Sequence, residues 1–453
     1  MEEKLLNLVT FNDEDWDKRW RYNCTIFILS YIFMGAVTGI TNDSYVSYLN
    51  LTVPDVVKAL PAYGSIGTFA IALILLLTNK IGYKKLIVTS PIILLLGLFA
   101  CIFSKNSTVI LIANILINIG AGMYDCIYPL MFTSYTPTKR RTSMFARVMY
   151  CNLISQSLLT FLNGKIVVWK FSDNLKISYD KASILSEHQG ELNQMQLSAY
   201  TSSYRFVLWI AVILTILSLI CLLFLKEQVE DYTETAEELA ARKATKKFDL
   251  KLFANKYVLL WVVLTSLIGF GALLIMPYFP IYLNNFLHIS RGVVSTIITF
   301  STLAMVLAYF CTPWLEKKLG SIVTVALGTI LCIPLMLLMA NGAIFGANVA
   351  WAIGIILFLR SGIANAAGPI KASLPLTFVP KNLVPAYNSI MLIVNGLVGI
   401  FAGLFARYYL LRTPSGYGTA YYIASVVYLI GSIGILLVFF KKYNRNSENN
   451  NKK

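Results

Sequence analysis

The chain has 453 residues, of which 57% are hydrophobic and 13% charged, and its mean hydropathy is +0.67. These values exclude an ordinary soluble domain, because such a composition requires lipid as part of the solvent. The formal net charge of +16 alone would fit nucleic-acid binding, but the basic residues cluster in segments between apolar stretches, which is typical of membrane orientation instead.

Twelve apolar stretches are long enough to cross a bilayer, whose core of about 30 Å needs roughly 20 apolar residues per helix. Their continuity favours helices over barrel strands, which would alternate in segments of about ten residues. The predicted spans are 22–43, 55–78, 86–104, 108–134, 143–168, 204–226, 257–284, 292–314, 321–341, 345–372, 382–410 and 418–440. The predicted fold class is therefore an all-α membrane protein with twelve transmembrane helices.

The N-terminal segment is acidic and polar, unlike a cleavable signal peptide, so we expect the first spanning helix to direct insertion. With the N-terminus placed in the cytoplasm, most of the 38 lysines and arginines fall in cytoplasmic segments. This bias predicts a multi-pass protein of the cell membrane with both termini cytoplasmic. The basic excess also suits contact with anionic membrane lipids.

Two connecting segments are unusually long. Residues 227–256 are highly charged and separate an N-terminal bundle, 1–226, from a C-terminal bundle, 257–453; they form either a surface helix or a plain linker. Residues 170–204 are polar enough to lie outside the membrane. They cap the outer mouth, bind a ligand, or serve only as a connection.

The two halves of the chain are related by an internal repeat. Matching residues recur 234 to 243 positions apart, and the offset grows along the chain as loop insertions would produce. The pairs include Gly35 and Gly269, Tyr48 and Tyr282, Gly82 and Gly320, Gly122 and Gly362, Pro129 and Pro369, and Asn152 and Asn395. Six spans return the chain to the same side, so the repeat predicts two pseudo-symmetric six-helix bundles in parallel orientation, with a central site.

The loop after the second span reads Asn79-Lys80-Ile81-Gly82-Tyr83-Lys84-Lys85, and its counterpart in the second half reads Lys317-Lys318-Leu319-Gly320. Both resemble the major facilitator superfamily signature Gly-x3-Asp-(Arg/Lys)-x-Gly-x-(Arg/Lys). The resemblance implies the twelve-helix fold of that superfamily, alternating access by rocking of the two bundles, and gating loops that contain Asn79, Lys80, Gly82, Lys84, Lys318 and Gly320. The acidic residue of the signature is Asn79 in one loop and Lys317 in the other.

Drug exporters of this superfamily carry Arg-x3-Gly in the fourth span and Gly-x3-Gly-Pro-x2-Gly-Gly in the fifth. Here Asn118 stands at the arginine position, and the fifth span lacks the glycine run. These departures argue against a standard drug antiporter.

Charged residues within the apolar stretches are the first candidates for function, because each costs at least about 2.5 to 3.5 kcal/mol at the bilayer centre. Asp125 is predicted to accept a proton or to pair with a substrate cation, with Tyr128 on the same helical face; a structural carboxylate is the alternative. Arg360 and Lys371 are predicted to share a face that suits an anionic or polar solute. A salt bridge from Arg360 to Asp125 or another acid is its alternative.

Further polar residues are candidates by position. Asp43 lies near the outer end of the first span, where it either lines the cavity or is solvated at the mouth. Asn365 replaces Asp125 in the second half of the repeat. Asn152, Asn395 and Gln156 bind substrate or join neighbouring helices. Pro277 and Pro280 are predicted to kink or interrupt the seventh span.

The sequence contains no pattern that is typical of a metal site, a cofactor site or an enzyme active site. The seven cysteines lie in apolar stretches without Cys-x-x-Cys spacing and are predicted to be core residues. His188 and His288 lie in connecting segments, which argues against a His-based metal site. No nucleotide-binding loop or nucleophile motif is present, so the chain is predicted not to be an enzyme and to use a gradient as its energy source.

Together these features predict a monomeric secondary active transporter that moves a small solute by alternating access, coupled to protons or another ion. Its expected partners are a small-molecule substrate, the coupling ion and membrane lipids, and not nucleic acid. An exporter of amphipathic drugs or lipids remains an alternative, as does a membrane receptor that has the same fold and no transport.

Overall fold

The computed structural model describes residues 16–75, 81–228, 255–379, 384–413 and 415–444. This described part is helical and contains no strand. Ten of its segments are long and apolar enough to cross a membrane: Lys18–Thr52, Tyr83–Phe103, Ser107–Ile127, Gln194–Leu223, Lys256–Phe286, Arg291–Leu319, Ser321–Ala340, Gly342–Lys371, Ile390–Leu410 and Gly416–Tyr443. The predicted all-α membrane fold is confirmed.

Three main helices of the first half begin at a polar residue whose side chain caps them, namely Asp17, Asn106 and Asn193. Asn106 accepts hydrogen bonds from the next turn's backbone amides, and Asn193 forms a capping box with Gln196. The helices are α1 (Lys18–Ile40), α2 (Leu60–Leu75), α3 (Tyr83–Phe103), α4 (Ser107–Tyr135), α5 (Thr138–Leu175) and α6 (Gln194–Leu223).

The second half follows the same order. Its helices are α7 (Lys256–Ile275), α8 (Arg291–Leu319), α9 (Ser321–Ile330, continued by Cys332–Ala340), α10 (Val349–Ala366, continued by Gly368–Ser373), α11 (Val384–Phe405) and α12 (Gly416–Tyr443). Most of the charged segment 227–256 lies outside the described residues.

Helix α1 extends further than its apolar pattern predicts. After Ile40 a π-helical turn, Thr41–Tyr45, leads into a further helix, Val46–Thr52. The prediction that Asp43 lies near the outer end of this span is therefore wrong. The added residues include Ser47 and Asn50, which lower the hydropathy but do not prevent a helix from forming.

The segment 170–204 is mostly helical instead of an open loop. Helix α5 runs to Leu175, a short helix covers Tyr179–Leu185, and α6 begins at Gln194. Lys176 ends α5 in the left-handed conformation, with φ of 54°. The predicted span, 143–168, is shorter than helix α5 because it was drawn from hydropathy, which indicates only the residues that contact lipid. The hydrogen bonds of a helix can continue into polar sequence.

Prolines interrupt α7 as predicted. The helix ends at Ile275 and continues as a 3₁₀ turn, Met276–Tyr278, a single α turn, Phe279–Ile281, and a π turn, Tyr282–Phe286. Pro277 and Pro280 cannot donate backbone hydrogen bonds, which explains the break. Helix α10 is interrupted in the same way at Ala367, just before Gly368 and Pro369.

The described residues fall into two compact units. The first contains 16–57 and 63–228, and the second contains 58–62 and 255–444. In the first unit α1 packs against α5 and α6 and α3 packs against α4; in the second α7 packs against α11 and α12 and α8 packs against α10. Each unit buries its own apolar core.

The sequence repeat is matched by a repeated tertiary contact. The Tyr48 hydroxyl donates to the backbone oxygen of Cys101 at 3.0 Å, and the Tyr282 hydroxyl donates to the backbone oxygen of Met339. The donors are 234 residues apart and the acceptors 238, which are two of the offsets of the repeat. The two units therefore share an internal arrangement and not only a pattern of apolar residues.

One prediction about the cysteines is wrong. Cys311 is exposed on α8, whereas Cys24, Cys101 and Cys332 are buried. In a membrane protein the outer surface of a helix contacts lipid, so an apolar stretch does not distinguish a core position from a lipid-facing one.

Candidate functional site

The carboxylate of Asp125 lies in α4 within the segment Ser107–Ile127, which is apolar enough to span the membrane. Its side chain is exposed on the first unit and accepts a hydrogen bond from the hydroxyl of Tyr31 in α1. No lysine or arginine among the described residues forms an ion pair with Asp125. The carboxylate is thus held by a neutral donor.

Packing and hydrogen bonds hold Tyr31 in place. Its ring stacks on that of Tyr124, with centroids 5.8 Å apart and ring planes 5° apart. The Tyr124 hydroxyl lies 2.6 Å from both the Ser30 and the Ser218 hydroxyls, and all three residues are buried. Tyr31 therefore presents its hydroxyl to Asp125 from a fixed position between α1, α4 and α6.

Asn152 and Gln156 of α5 have different surroundings. The Asn152 amide nitrogen donates to the backbone oxygen of Tyr31 at 3.1 Å, and Gly35 of α1 packs directly against Asn152. Gln156, one turn later, is half-buried and has no hydrogen-bond partner within the described ranges. Asn152 therefore joins α1 to α5, which is one of the two roles predicted for it. The Gln156 amide is available to a ligand.

Asp43 is buried, with 0% of its surface exposed, inside the π turn of the first span. Beside it, the Ser44 hydroxyl donates to the Asn163 side chain at 2.8 Å, and Asn163 donates to the backbone oxygen of Gly39 at 3.0 Å. Of the two surroundings predicted for Asp43, solvation at the cavity mouth is wrong, because the residue is buried and seven further helical residues follow the turn. The side chain of Tyr128 lies outside the described residues.

Arg360 lies in α10 and is only 1% exposed. Its Nη2 donates to the Tyr428 hydroxyl of α12 at 3.3 Å, and its guanidinium carbon lies 5.6 Å from the centroid of the Phe279 ring. Its Nε has no hydrogen-bond partner. The guanidinium is therefore fixed by two aromatic residues and retains an unused donor.

Lys371 follows Arg360 after the break in α10, on the short helix Gly368–Ser373. Both cations act electrostatically on the Cys332 thiol, whose Sγ donates to the backbone oxygen of Arg360 at 3.6 Å. Lys371 makes no hydrogen bond or ion pair with any described residue. The two predicted cations therefore share a neighbourhood, although they do not lie on one continuous helix.

The two asparagines of the second half contribute little to this cluster. The Asn365 amide donates to the Ser361 backbone oxygen of its own helix at 2.9 Å. Asn395 is exposed on α11 and has no hydrogen bond to another described residue. No group of three or more His, Cys, Asp or Glu residues in the described ranges is placed to hold a metal ion.

The family model that matches the chain is that of the Major Facilitator Superfamily, over residues 22–403. The chain belongs to the major facilitator superfamily. No curated protein sequence matches the chain significantly.

Solved transporters of the superfamily share the fold. The chain is 13% identical to a D-xylose-proton symporter, with a TM-score of 0.68 and coverage of 91% of this chain and 96% of that one. For the nucleoside transporter NupG the identity is 14%, the TM-score 0.68 and the coverage 93% and 99%. A bacterial homologue of the iron transporter ferroportin is 10% identical, with a TM-score of 0.64 and coverage of 92% and 98%.

These comparisons identify the chain as a multi-pass membrane protein of a transporter superfamily and not as an enzyme. At identities of 10 to 14% the similarity to solved structures extends to the fold alone. The substrate and coupling ion must therefore be argued from the residues of this chain.

The two loops that resemble the superfamily signature keep their glycines. Gly82 and Gly320 adopt nearly the same backbone conformation, with φ of 94° and 88°, which residues with a Cβ rarely adopt. Asn79 and Lys80 lie outside the described residues. Lys318 lies over the Trp314 ring, with 5.0 Å from its Nζ to the centroid.

Each of these glycines precedes a helix whose start is bound by residues that follow the last helix of its unit. In the first unit the Lys84 backbone amide donates to Glu227 at 2.9 Å, and the Lys84 ammonium donates to the backbone oxygen of Leu225 at 2.6 Å. In the second unit the Val323 amide donates to the Asn444 side chain at 3.0 Å. A carboxylate is therefore present at the first loop, but Glu227 supplies it and not the position of the signature's aspartate.

Packing explains one mismatch between the repeats of this superfamily member. A Cβ at Gly120 would lie 2.6 Å from the Leu94 Cβ, so that position excludes a side chain. The repeat counterpart of Gly120 is Arg360, and that of Leu94 is Cys332 at the 238-residue offset. A side chain is therefore excluded at this position of α4, whereas α10 carries an arginine at the corresponding position.

Four aromatic residues of these sites were not predicted from the sequence, namely Tyr31, Tyr124, Phe279 and Tyr428. In an apolar helix an aromatic residue most often packs against neighbours or lies at the membrane interface. Only the distances to Asp125 and Arg360 show which of the 26 tyrosines contact a charge.

Proposed function

We propose that the chain is a proton-coupled secondary transporter that moves a small solute by alternating access, and that Asp125 takes up and releases the proton. One observation carries the proposal. Asp125 lies within a membrane-spanning segment, and its partner is the neutral Tyr31 hydroxyl and not a cation.

A neutral partner suits a group that changes its protonation state. A tyrosine hydroxyl donates to an ionised carboxylate and both donates to and accepts from a carboxylic acid. An ion pair, in contrast, would leave an unpaired cation in the membrane whenever the carboxylate took up a proton. At Asp125 protonation removes a charge from the membrane interior without breaking an ion pair.

The comparisons support transport driven by a gradient. One structure with the same fold is a D-xylose-proton symporter, and another is a nucleoside transporter. Both carry small polar solutes by their names, which favours a small polar solute here over an amphipathic drug or lipid.

We further propose that the protein lies in the cell membrane with both termini in the cytoplasm and works as a monomer of two bundles, 1–226 and 257–453. Pairs of lysines mark the relevant helix ends: Lys84 and Lys85, Lys317 and Lys318, Lys441 and Lys442. Such clusters favour the cytoplasmic side. Epitope tags at both termini should be detected only after the cells are permeabilised, and detection of either tag on intact cells would contradict this orientation.

The test of function is uptake by proteoliposomes that contain the full-length chain. The probe is a mixed pool of radiolabelled metabolites, offered with and without an inward proton gradient, and counterflow measured without a gradient. We expect the gradient to drive accumulation in the wild type. Asp125→Asn should abolish accumulation and retain counterflow, because the substituted residue has no titratable proton.

Asp180→Asn is the matched control, since Asp180 is an exposed acid on the short helix Tyr179–Leu185. It should accumulate solute as the wild type does. Undiminished accumulation by Asp125→Asn would remove this residue from coupling. Counterflow with no effect of the gradient in the wild type would indicate a facilitator, and the absence of any transport would favour the receptor alternative.

A further inference from the structure

The second unit holds positive charge within its helices and almost no negative charge to balance it. Residues 255–444 contain a single acidic residue, Glu316. It lies in the last turn of α8, where its carboxylate accepts a hydrogen bond from the Ser321 hydroxyl at 2.6 Å. Arg360 and Lys371 form no ion pair with it or with any other described residue.

Several donors around Arg360 are buried and unused. The Nε of Arg360 and the hydroxyl of Tyr421 have no hydrogen-bond partner, and the two residues are 1% and 2% exposed. Tyr421 lies within range of the Arg360 charge, and its ring packs against that of Tyr282 with centroids 4.9 Å apart. Tyr421 and Tyr428 are two turns apart and share a face of α12.

The Tyr428 hydroxyl adds a further donor. It accepts its one described hydrogen bond from Arg360, so its own hydrogen remains available to a second acceptor. Arg360 and Lys371 of α10 and the hydroxyls of Tyr421 and Tyr428 of α12 therefore form a cluster of hydrogen-bond donors. No acidic residue among the described residues pairs with its two cations.

Such a cluster is costly without a ligand. A buried donor without a partner forfeits the hydrogen bond that water would have given it, and a buried cation also requires a compensating charge. A ligand that supplies acceptor oxygens and negative charge satisfies both needs. The planar guanidinium fork matches carboxylate and phosphate groups, and a lysine adds a point charge.

We propose that Arg360, Lys371, Tyr421 and Tyr428 form a binding site for an oxyanion, so that the transported solute carries a carboxylate or a phosphate group. The inference rests on the proposed function only in treating the bound solute as the transported one. The site itself belongs to the second unit and does not involve Asp125.

The test measures binding in the absence of a gradient. The full-length chain in lipid nanodiscs is heated with matched pairs of solutes that differ in one anionic group: glutamate and glutamine, glucose 6-phosphate and glucose, uridine 5′-monophosphate and uridine. We expect at least one anion to raise the unfolding temperature while its neutral counterpart does not. The carboxylate and phosphate pairs show which oxyanion the site takes.

Variants test whether the cluster is responsible. Arg360→Gln should weaken binding of that anion by at least about tenfold, the usual effect of losing a charged hydrogen bond. Arg360→Lys keeps the charge but loses the planar guanidinium group, so its affinity for the anion should lie between those of the wild type and Arg360→Gln. Arg412→Gln removes an exposed arginine of the same unit and should bind as the wild type does.

Three results would overturn the proposal: stabilisation by neutral solutes equal to that by their anions, no stabilisation by any anion of the panel, or unchanged binding by Arg360→Gln. If that variant does not fold, Tyr421→Phe and Lys371→Gln take its place with the same expected weakening. Anion binding by a wild type whose uptake does not respond to a proton gradient would count against the proposed function alone.

Discussion

The Tyr31 hydroxyl donates a hydrogen bond to the Asp125 carboxylate, and the Tyr31 backbone oxygen accepts one from Asn152. A single residue of α1 thus links the charge on α4 to α5. A change in the protonation of Asp125 alters a contact that two other helices share. This linkage is the physical basis for expecting that proton binding affects helix packing in the first unit.

Removal of the Tyr31 hydroxyl should impair transport more than folding. In Tyr31→Phe the ring still stacks on Tyr124, so the unfolding temperature should stay near that of the wild type. Loss of a hydrogen bond to a charged group is worth about 1.5 to 3 kcal/mol, which predicts at least about a tenfold decrease in gradient-driven uptake. Tyr409→Phe, at a residue 75% exposed, is the control. Full uptake by Tyr31→Phe would show that this hydroxyl has no part in coupling.

The repeat-related glycines Gly35 and Gly269 should respond in opposite ways to alanine. A Cβ at Gly35 would lie 2.9 Å from the Asn152 amide nitrogen and closer still to its backbone, so Gly35→Ala should destabilise the protein by about 1 to 3 kcal/mol. Nothing lies within 4 Å of a Cβ at Gly269, so Gly269→Ala should stabilise its helix by about 0.8 to 1.0 kcal/mol at most. Equal effects in denaturant unfolding would contradict the packing described for α1 and α5.

The two glycines of the signature-like loops should resist substitution because of their backbone conformation. Gly82 and Gly320 occupy a region of φ and ψ that is nearly restricted to glycine, so alanine at either should cost on the order of 1 to 3 kcal/mol. At Gly320 a Cβ would also lie 2.5 Å from the Asn444 side-chain oxygen. Gly190→Ala, where nothing lies within 4 Å, is the control. Unchanged unfolding of the two variants would show that these turns tolerate another conformation.

Asp173, outside the predicted span 143–168, should make stability depend on pH. Its oxygens lie 2.7 Å from the Lys170 ammonium and 3.4 Å from that of Lys176, and these hydrogen bonds and charges hold the pKa of Asp173 below its usual range. The unfolded chain therefore binds this proton more readily than the folded one, so the contribution is present above the ordinary carboxyl pKa and is lost as pH falls through the lowered value.

The corresponding measurement compares unfolding temperatures of Asp173→Asn and the wild type. We expect the variant to unfold slightly earlier at neutral pH and low salt, and the difference to vanish in acid and at high salt, where exposed pairs are screened. A difference that is constant across pH would mean that Asp173 stabilises the protein by packing alone.

Two charges of the candidate sites were predictable from the sequence because of where they occur. An ionisable residue in an apolar stretch is costly, so Asp125 and Arg360 were candidates by position alone. Tyr31, Tyr421 and Tyr428 were not, because a tyrosine in such a stretch carries no comparable penalty. Asp43 was placed wrongly because the helix continues past the apolar stretch through Val46–Thr52.

The amino-acid sequence by itself determined the membrane class, the duplication and the transporter superfamily. The free energy of transferring a segment to lipid depends on its own residues, so a spanning helix can be predicted without knowing which helices pack against it. The tertiary structure decided that Asp125 has a neutral partner and that Arg360 and Tyr421 keep unused donors. Those facts depend on which helices pack together, and packing joins residues far apart in the chain.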